Sequence, residues 1–371
     1  MPSTLLPAPT GPHAIGCRRL FLTDTGRTDP ISGSGARKIS TTAWYPTIGT
    51  GTVARYLSNV DTYDGTLAIE LTNRLEGRNC NNWFGGSCFG VNINATIHPR
   101  IRARDTHAIK DAPIRTDLGT LPVVLYSPGY QVPGAFGSIL AEQLASWGYL
   151  VLTLSHTYES AAVEWSNGVI VQNSAAINNQ WQKVLVARAD DAQYVMDTLA
   201  SLPGVGAQAD PDAIAMVGHS YGGYTALELA YHDPRIKAVA VLDGTAGYPG
   251  TENHAQDAGW PGPVLLLSGE LDPGDGYLVG GEHPSWATYT THPHGPLYAL
   301  QVLGARHHAF TDFGLLTVLT ADQCGTIAPS RAMEIHPRFV RAFLDTHLRG
   351  TPDALLDGTD PSWPDVVPFQ L

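Results

Sequence analysis

Gly218-His219-Ser220-Tyr221-Gly222 has the Gly-x-Ser-x-Gly pattern, and it stands between an apolar run suited to a strand, Ala213–Val217, and a segment suited to a helix that runs through Tyr231. That context gives the pattern its meaning. A serine on so tight a strand-to-helix turn takes a strained backbone conformation, and glycines on either side remove side chains that would collide with the strand and the helix. The chemistry such a serine performs is attack on a carbonyl carbon, which requires a base to take its proton, an acid to orient the base, and amide donors for the oxyanion.

In chain order the acid and the base should follow the serine, each at the carboxyl end of a later strand. Two aspartates qualify. Asp243 ends the run Ala238–Leu242, and Asp272 follows Val264–Leu267 in Ser268-Gly-Glu-Leu-Asp272; either could hold an imidazole in the required tautomer. For the base, Gly304-Ala-Arg-His307-His308-Ala-Phe310 follows the last expected strand, and one of the two histidines should serve. Such a base must be neutral, so activity should rise through about pH 6 to 8. His156, His219, His292 and His294 read as structural; none has metal-ligand spacing with suitable partners, so no metal and no other cofactor is assigned. Tyr221 supplies one oxyanion amide and Tyr130 the other, from Ser127-Pro128-Gly129-Tyr130, where Pro128 has no amide hydrogen and Gly129 allows close approach.

These residues need a scaffold that brings strand ends together. From Leu121 onward, short β-rich runs alternate with helix-length segments, as in a parallel sheet with crossover helices. Strands are expected over Pro122–Tyr126, Tyr149–Leu154, Ala213–Val217, Ile236–Leu242, Pro263–Leu267 and Leu297–Val302, with helices near Ser138–Ser146, Gln180–Ser201 and His336–His347. Arg18–Thr23 and Ile39–Tyr45 should be antiparallel edge strands. The whole, 1–371, reads as one α/β-hydrolase domain: a mostly parallel central sheet, helices on both faces, and a loop-rich insertion at 47–115 near the N-terminal part. Loops 245–262 and 270–296 should line the site. Within them Tyr248, Trp260, Tyr277, Trp286 and Tyr289 are candidates for an apolar substrate pocket.

Composition narrows the partners. With 22 Lys plus Arg against 34 Asp plus Glu, a net charge of −12, and no basic cluster, nucleic acid is an improbable ligand, and a small-molecule or polymeric ester is the expected one. The longest apolar runs are strand-sized, so no membrane span is expected. The amino terminus lacks the basic start and apolar core of a secretory signal, but a mature form given a new initiator Met would look the same; the compartment stays open, with a secreted mature form favoured. Four cysteines allow Cys80 with Cys88 and Cys17 with Cys324 as disulfides, or four reduced thiols. Oligomeric state is not legible.

Gly16-Cys-Arg-Arg19 with Asp24, Arg37 with Ala43-Trp-Tyr-Pro46, Tyr126-Ser-Pro-Gly-Tyr130, Gly218–Gly223, Leu242-Asp243, and Gly304–His307 with Phe310-Thr-Asp-Phe313 together resemble the platelet-activating factor acetylhydrolases of the plasma and intracellular type II kind, which are lipase-like α/β-hydrolases. The resemblance implies Asp243 as the acid, His307 rather than His308 as the base, the Tyr130 and Tyr221 amides as the oxyanion donors, and a short-acyl ester as substrate. The chain departs from that family at Pro128, where a histidine is usual, and in the stretch Cys80–Cys88. An alternative with the same three side chains is a cutinase-like, polyester or aromatic-ester hydrolase. From another class, a catalytically silent binding protein on this fold would show no serine modification.

Overall fold

Eleven strands pair into one sheet in a computed structural model that describes residues 6–57, 105–270, 284–316, 324–369 and 371. In chain order the elements used below are β1 (Ala14–Thr28), β2 (Ala36–Thr47), β3 (Val53–Arg55), β4 (Asp105–Lys110), β5 (Leu121–Ser127), α1 (Ser138–Ser146), β6 (Leu150–His156), β7 (Ala162–Glu164), β8 (Ile170–Gln172) and α2 (Trp181–Asp197). They continue with β9 (Ala209–His219), α3 (Tyr221–His232), β10 (Ile236–Leu242), α4 (His254–Ala258), β11 (Val264–Gly269), α5 (Pro284–Tyr289), β12 (Leu297–Val302), α6 (Phe313–Leu316), α7 (Pro329–Arg349) and β13 (Val366–Pro368). The strand order is β13-β12-β11-β10-β9-β5-β6-β2-β1-β4-β3, and β7 and β8 form a separate ribbon. The run from β6 through β5, β9, β10 and β11 to β12 is parallel throughout.

Alternation along the central strands builds two cores. Val124 and Tyr126 of β5 and Leu265 and Leu267 of β11 face the layer formed by α1 and α7. Their neighbours Val123, Leu125, Val264 and Leu266 face the opposite layer, which takes in Val195 of α2, Leu227 of α3 and Trp286 of α5. Strands that are apolar at every position are the signature of a sheet covered on both faces. The result is an α/β-hydrolase architecture.

Several expectations need correction. β1 and β2 are antiparallel to each other, and β2 to β6, but neither is an edge: β4 and β3 extend the sheet beyond them. Both of those strands come from the segment read as loop, and their few residues carry no periodicity to betray them. On the other side β13 closes the sheet antiparallel to β12. The last long helix begins at Pro329, ahead of the expected His336, and continues through Pro337 to Arg349. Cys17 and Cys324 are both free and buried, and burial pushes each thiol up to about 12, so they form no bridge. Cys80, Cys88, Asp272 and Tyr277 lie outside the described residues. Among the described residues no helix is long and apolar enough to cross a membrane.

Arg37 of β2 is wholly buried and welds three segments together. Its guanidinium donates to both oxygens of Asp191 on α2 (2.9 and 2.6 Å), to Asp29 (2.8 Å) and to the Thr157 carbonyl (2.7 Å). Burial alone would raise the Asp191 carboxyl, but the charge and hydrogen bonds of Arg37 hold it well below the usual carboxylate range.

Candidate active site

Ser220 sits between β9 and α3 with φ +56° and ψ −127°, a conformation L side chains rarely adopt. The flanking glycines are obligatory. A Cβ on Gly218 would stand 2.2 Å from the Gly222 carbonyl carbon, and one on Gly222 would stand 2.0 Å from the Ser127 carbonyl oxygen. The strain is held by three backbone bonds: Ser220 N–H to Leu242 O (2.9 Å), and Gly223 and Tyr224 N–H to Ser220 O (2.9 and 3.2 Å).

His307 opens a short turn after β12 and reaches back over the serine. Its Nε2 lies 3.0 Å from Ser220 Oγ, and its Nδ1 lies 2.6 Å from Asp243 Oδ2. The ionised carboxylate only accepts, so Nδ1 carries the proton and Nε2 presents its lone pair to the hydroxyl. Asp243 itself follows β10 in a left-handed conformation (φ +46°), with its own N–H on Leu267 O (2.9 Å) and its Oδ1 accepting from Gly269 N–H (2.8 Å). Burial opposes its ionisation, but the hydrogen bond and charge of His307 with the Gly269 amide outweigh that and hold the carboxyl below its ordinary value. Geometrically, this is a hydroxyl set on the free nitrogen of an imidazole whose other nitrogen is held by a fixed carboxylate.

His219, adjacent to Ser220 in the chain, lies with its ring 4.5 Å from the His307 ring and donates from Nε2 to the His307 carbonyl (2.8 Å), which steadies the turn that carries that histidine. His308 is buried behind that turn, with its ring 6.4 Å from the His219 ring. His156 is bonded to Asp191 (2.9 Å). Burial is the leading cause that lowers all of these: His219 falls to about 3, His336 on α7 to about 4, and His156 and His308 also titrate below the ordinary value. In the unfolded chain each takes up a proton near pH 6.5, whereas the folded chain resists it, so acidification from about pH 6.5 toward 4 favours unfolding. Above that window both states are neutral and the contribution vanishes. The urea midpoint should therefore drop between pH 7 and 5 and stay level between 7 and 8; an unchanged midpoint at pH 5 would contradict it.

The Ser127–Tyr130 loop runs directly against the serine: a Cβ on Gly129 would lie 3.4 Å from Ser220 Cβ. Arg188 of α2 holds this loop from behind. Its guanidinium donates to the carbonyls of Pro128 (2.6 Å) and Gly129 (2.8 Å) and to Glu159 (2.8 Å), and Glu159 Oε1 also accepts from Gln131 N–H (2.6 Å). Arg188 and Glu159 are both fully buried. Tyr221, the first residue of α3, has one of the first-turn amides that find no acceptor within a helix.

Four aromatic rings gather beside this loop. Trp181 at the start of α2 stands 4.7 Å from Tyr130, 4.9 Å from Tyr248 and 5.8 Å from Tyr221, and Tyr248 meets Tyr221 edge-on at 5.2 Å. Of the pocket candidates among the described residues, Tyr248 joins this group. Trp260, Trp286 and Tyr289 are buried in the α2/α3-side core, where Trp286 donates to the Gly244 carbonyl (2.9 Å). Sequence reasoning missed Trp181, Arg188 and Glu159. For Arg188 a signal existed: it lies on the buried stripe of α2 with Val184, Ala192 and Val195, a place where charge needs a partner. At the far end of α3, Glu228, His232 and His254 bring three potential metal-ligand atoms within 4.8 Å of one another.

A mostly parallel sheet covered on both faces, with a serine on a tight turn at its carboxyl edge, defines an α/β-hydrolase, and the chain is an enzyme of the hydrolase and esterase type. The model of the dienelactone hydrolase family matches residues 129–311. Among solved structures, a ferulic acid esterase from Streptomyces cinnamoneus is similar at a TM-score of 0.78 with 27% identity, covering 99% of this chain and 99% of that one. Curated relatives include a probable 1-alkyl-2-acetylglycerophosphocholine esterase of Arthroderma benhamiae, 26% identical over 98% of this chain and 94% of its own length. A platelet-activating factor acetylhydrolase of Cavia porcellus is 22% identical over 93% and 78%. The family match and the structural likeness correct the resemblance drawn from sequence: residues 129–311 match the dienelactone hydrolase family and the chain is structurally similar to a ferulic acid esterase, so the resemblance to platelet-activating factor acetylhydrolases is not specific. Of the motifs behind that resemblance, those at Tyr126–Tyr130, Gly218–Gly223, Leu242-Asp243 and Gly304–His307 serve the nucleophile turn and the strand ends, which do not by themselves select a substrate.

Proposed function

We propose that this chain hydrolyses carboxylic esters with an aromatic acyl group, of the hydroxycinnamate kind. The observation that carries the reading is the Ser220–His307–Asp243 arrangement, at 3.0 and 2.6 Å, beside the rings of Tyr130, Trp181, Tyr221 and Tyr248. Likeness to a ferulic acid esterase over nearly the whole chain supports it.

In this mechanism Ser220 Oγ attacks the ester carbonyl carbon while His307 Nε2 takes its proton. The oxyanion is received by the amides of Tyr130 and Tyr221; as the carbonyl re-forms, the bond to the alcohol breaks and His307 returns the proton to the leaving oxygen. Water, deprotonated by the same histidine, then releases the acid and restores the serine. Asp243 stays ionised and holds the imidazole.

The test compares methyl ferulate with p-nitrophenyl acetate, beside intact-mass analysis after a fluorophosphonate. One adduct on Ser220, with a higher kcat/KM for the ferulate ester, is expected. A preference for the acetyl ester would remove the aromatic reading, and absence of both adduct and turnover would leave a silent binding protein. Trp181→Ala should raise KM for methyl ferulate about 10-fold, the worth of one good aromatic contact, with little change for p-nitrophenyl acetate.

A further inference from the structure

At the opposite end of α3 from Ser220, two helices present a ligand set that the ester chemistry does not use. Glu228 and His232 are four residues apart and share one face of α3, and His254, the first residue of α4, meets them across the groove. Glu228 Oε1 lies 2.6 Å from His254 Nδ1 and 3.4 Å from His232 Nε2, and the two ring nitrogens are 3.2 Å apart. These three atoms form a small triangle. A zinc-class ion bound tetrahedrally at roughly 2.0–2.1 Å sets its ligand atoms about 3.3 Å apart, so two edges already fit and the third is a hydrogen bond that opens by less than about 1 Å.

The surroundings fix the ligands. Glu228 is buried, and its carboxylate is anchored at Oε2 by the Ala255 N–H (3.0 Å), while Oε1 accepts from the His254 N–H (3.1 Å) and turns its remaining lone pair to the two rings. Tyr231 stacks on the His254 ring (5.9 Å, 20° between planes). Without a cation, two imidazole nitrogens face each other and compete for one carboxylate oxygen; a cation takes a lone pair from all three. The acidic side chains of Glu252 and Asp257 flank His254 in the chain and add favourable charge.

We propose that Glu228 Oε1, His232 Nε2 and His254 Nδ1 bind a divalent transition-metal ion of the zinc class, with the fourth position open to water. On binding, the ring proton of His254 passes from Nδ1 to Nε2, so the neutral imidazole offers its Nδ1 lone pair beside His232 Nε2 and the Glu228 carboxylate, and three protein–metal bonds form. The ion pins α3, which begins at the nucleophile turn, to α4, which ends the loop that begins at Asp243. Its effect falls on stability and not on the ester chemistry, which lies about 12 Å from Glu228 and about 18 Å from His232 along the rise of α3.

Zinc chloride titrated into the untagged, chelator-stripped chain, followed by calorimetry and a thermal scan, tests this. One ion per chain and a Tm raised by a few degrees at saturation are expected. His232→Ala removes an exposed ligand that the fold does not need, and should weaken binding at least about 100-fold. Glu228→Gln, which keeps the acceptor for the Ala255 amide, should do the same. Unchanged zinc affinity in His232→Ala, or no saturable binding below about 1 mM, would overturn the assignment.

Discussion

Asp243→Asn should lower kcat on any ester the chain cleaves by about 10⁴-fold while leaving the fold intact. The asymmetry of the two carboxylate oxygens explains why. Oδ1 accepts from Gly269 N–H (2.8 Å), a bond the amide oxygen of asparagine can keep, so the nitrogen is placed where Oδ2 now meets His307 Nδ1 at 2.6 Å. An amide nitrogen donates, so Nδ1 must become the acceptor and the ring proton moves to Nε2, which then has no lone pair for the Ser220 hydroxyl. Asparagine also tolerates the left-handed backbone at this position (φ +46°) better than most residues, so little strain is added. Measured beside it, Asp272→Asn should be near wild type; if that change cripples turnover and Asp243→Asn does not, the acid has been misassigned.

The choice between those two aspartates shows where sequence alone runs out. The serine turn is legible because its requirements are local: two glycines whose Cβ atoms would meet backbone at 2.2 and 2.0 Å lie within two residues of Ser220, between a strand and a helix. The acid is defined instead by where two strand ends lie in space, and Asp243 and Asp272 both follow apolar strands. The same holds at the sheet margins. β3, β4 and β13 are short and pair across long separations, so neither period nor length marks them. Among the aromatics, Trp286 and Trp181 look alike in the sequence, but one fills the core and the other stands among the rings beside the Ser127–Tyr130 loop. Substrate class rests on such loops, and so the motifs led to the right fold and the wrong family.

Arg188→Lys should lower kcat by about 10²- to 10³-fold with little change in KM, the loss expected when one oxyanion donor is misdirected. Arg188 touches no reacting atom. It binds the carbonyls of Pro128 and Gly129 (2.6 and 2.8 Å), and in a trans peptide the carbonyl and the amide hydrogen point in opposite directions. Anchoring the Gly129 carbonyl on Arg188 therefore turns the Tyr130 amide hydrogen to the opposite side of the loop, and Gly129 itself lies against Ser220. Glu159 completes the clamp by pairing with Arg188 and accepting from Gln131 N–H, at a residue held in the left-handed region (φ +60°). Lysine keeps the charge but is a single point donor, so it cannot hold two carbonyls and a carboxylate in one plane. Glu159→Gln, which keeps the acceptor for Gln131 but lowers the hold on the guanidinium, should give a smaller loss in the same direction. Because a buried pair also supports the fold, kcat is to be expressed per serine titrated by the fluorophosphonate: misfolding removes titratable sites and leaves the per-site rate unchanged. A per-site kcat within about twofold of wild type in Arg188→Lys would mean that the loop keeps its orientation without the fork, and that the pair serves packing alone.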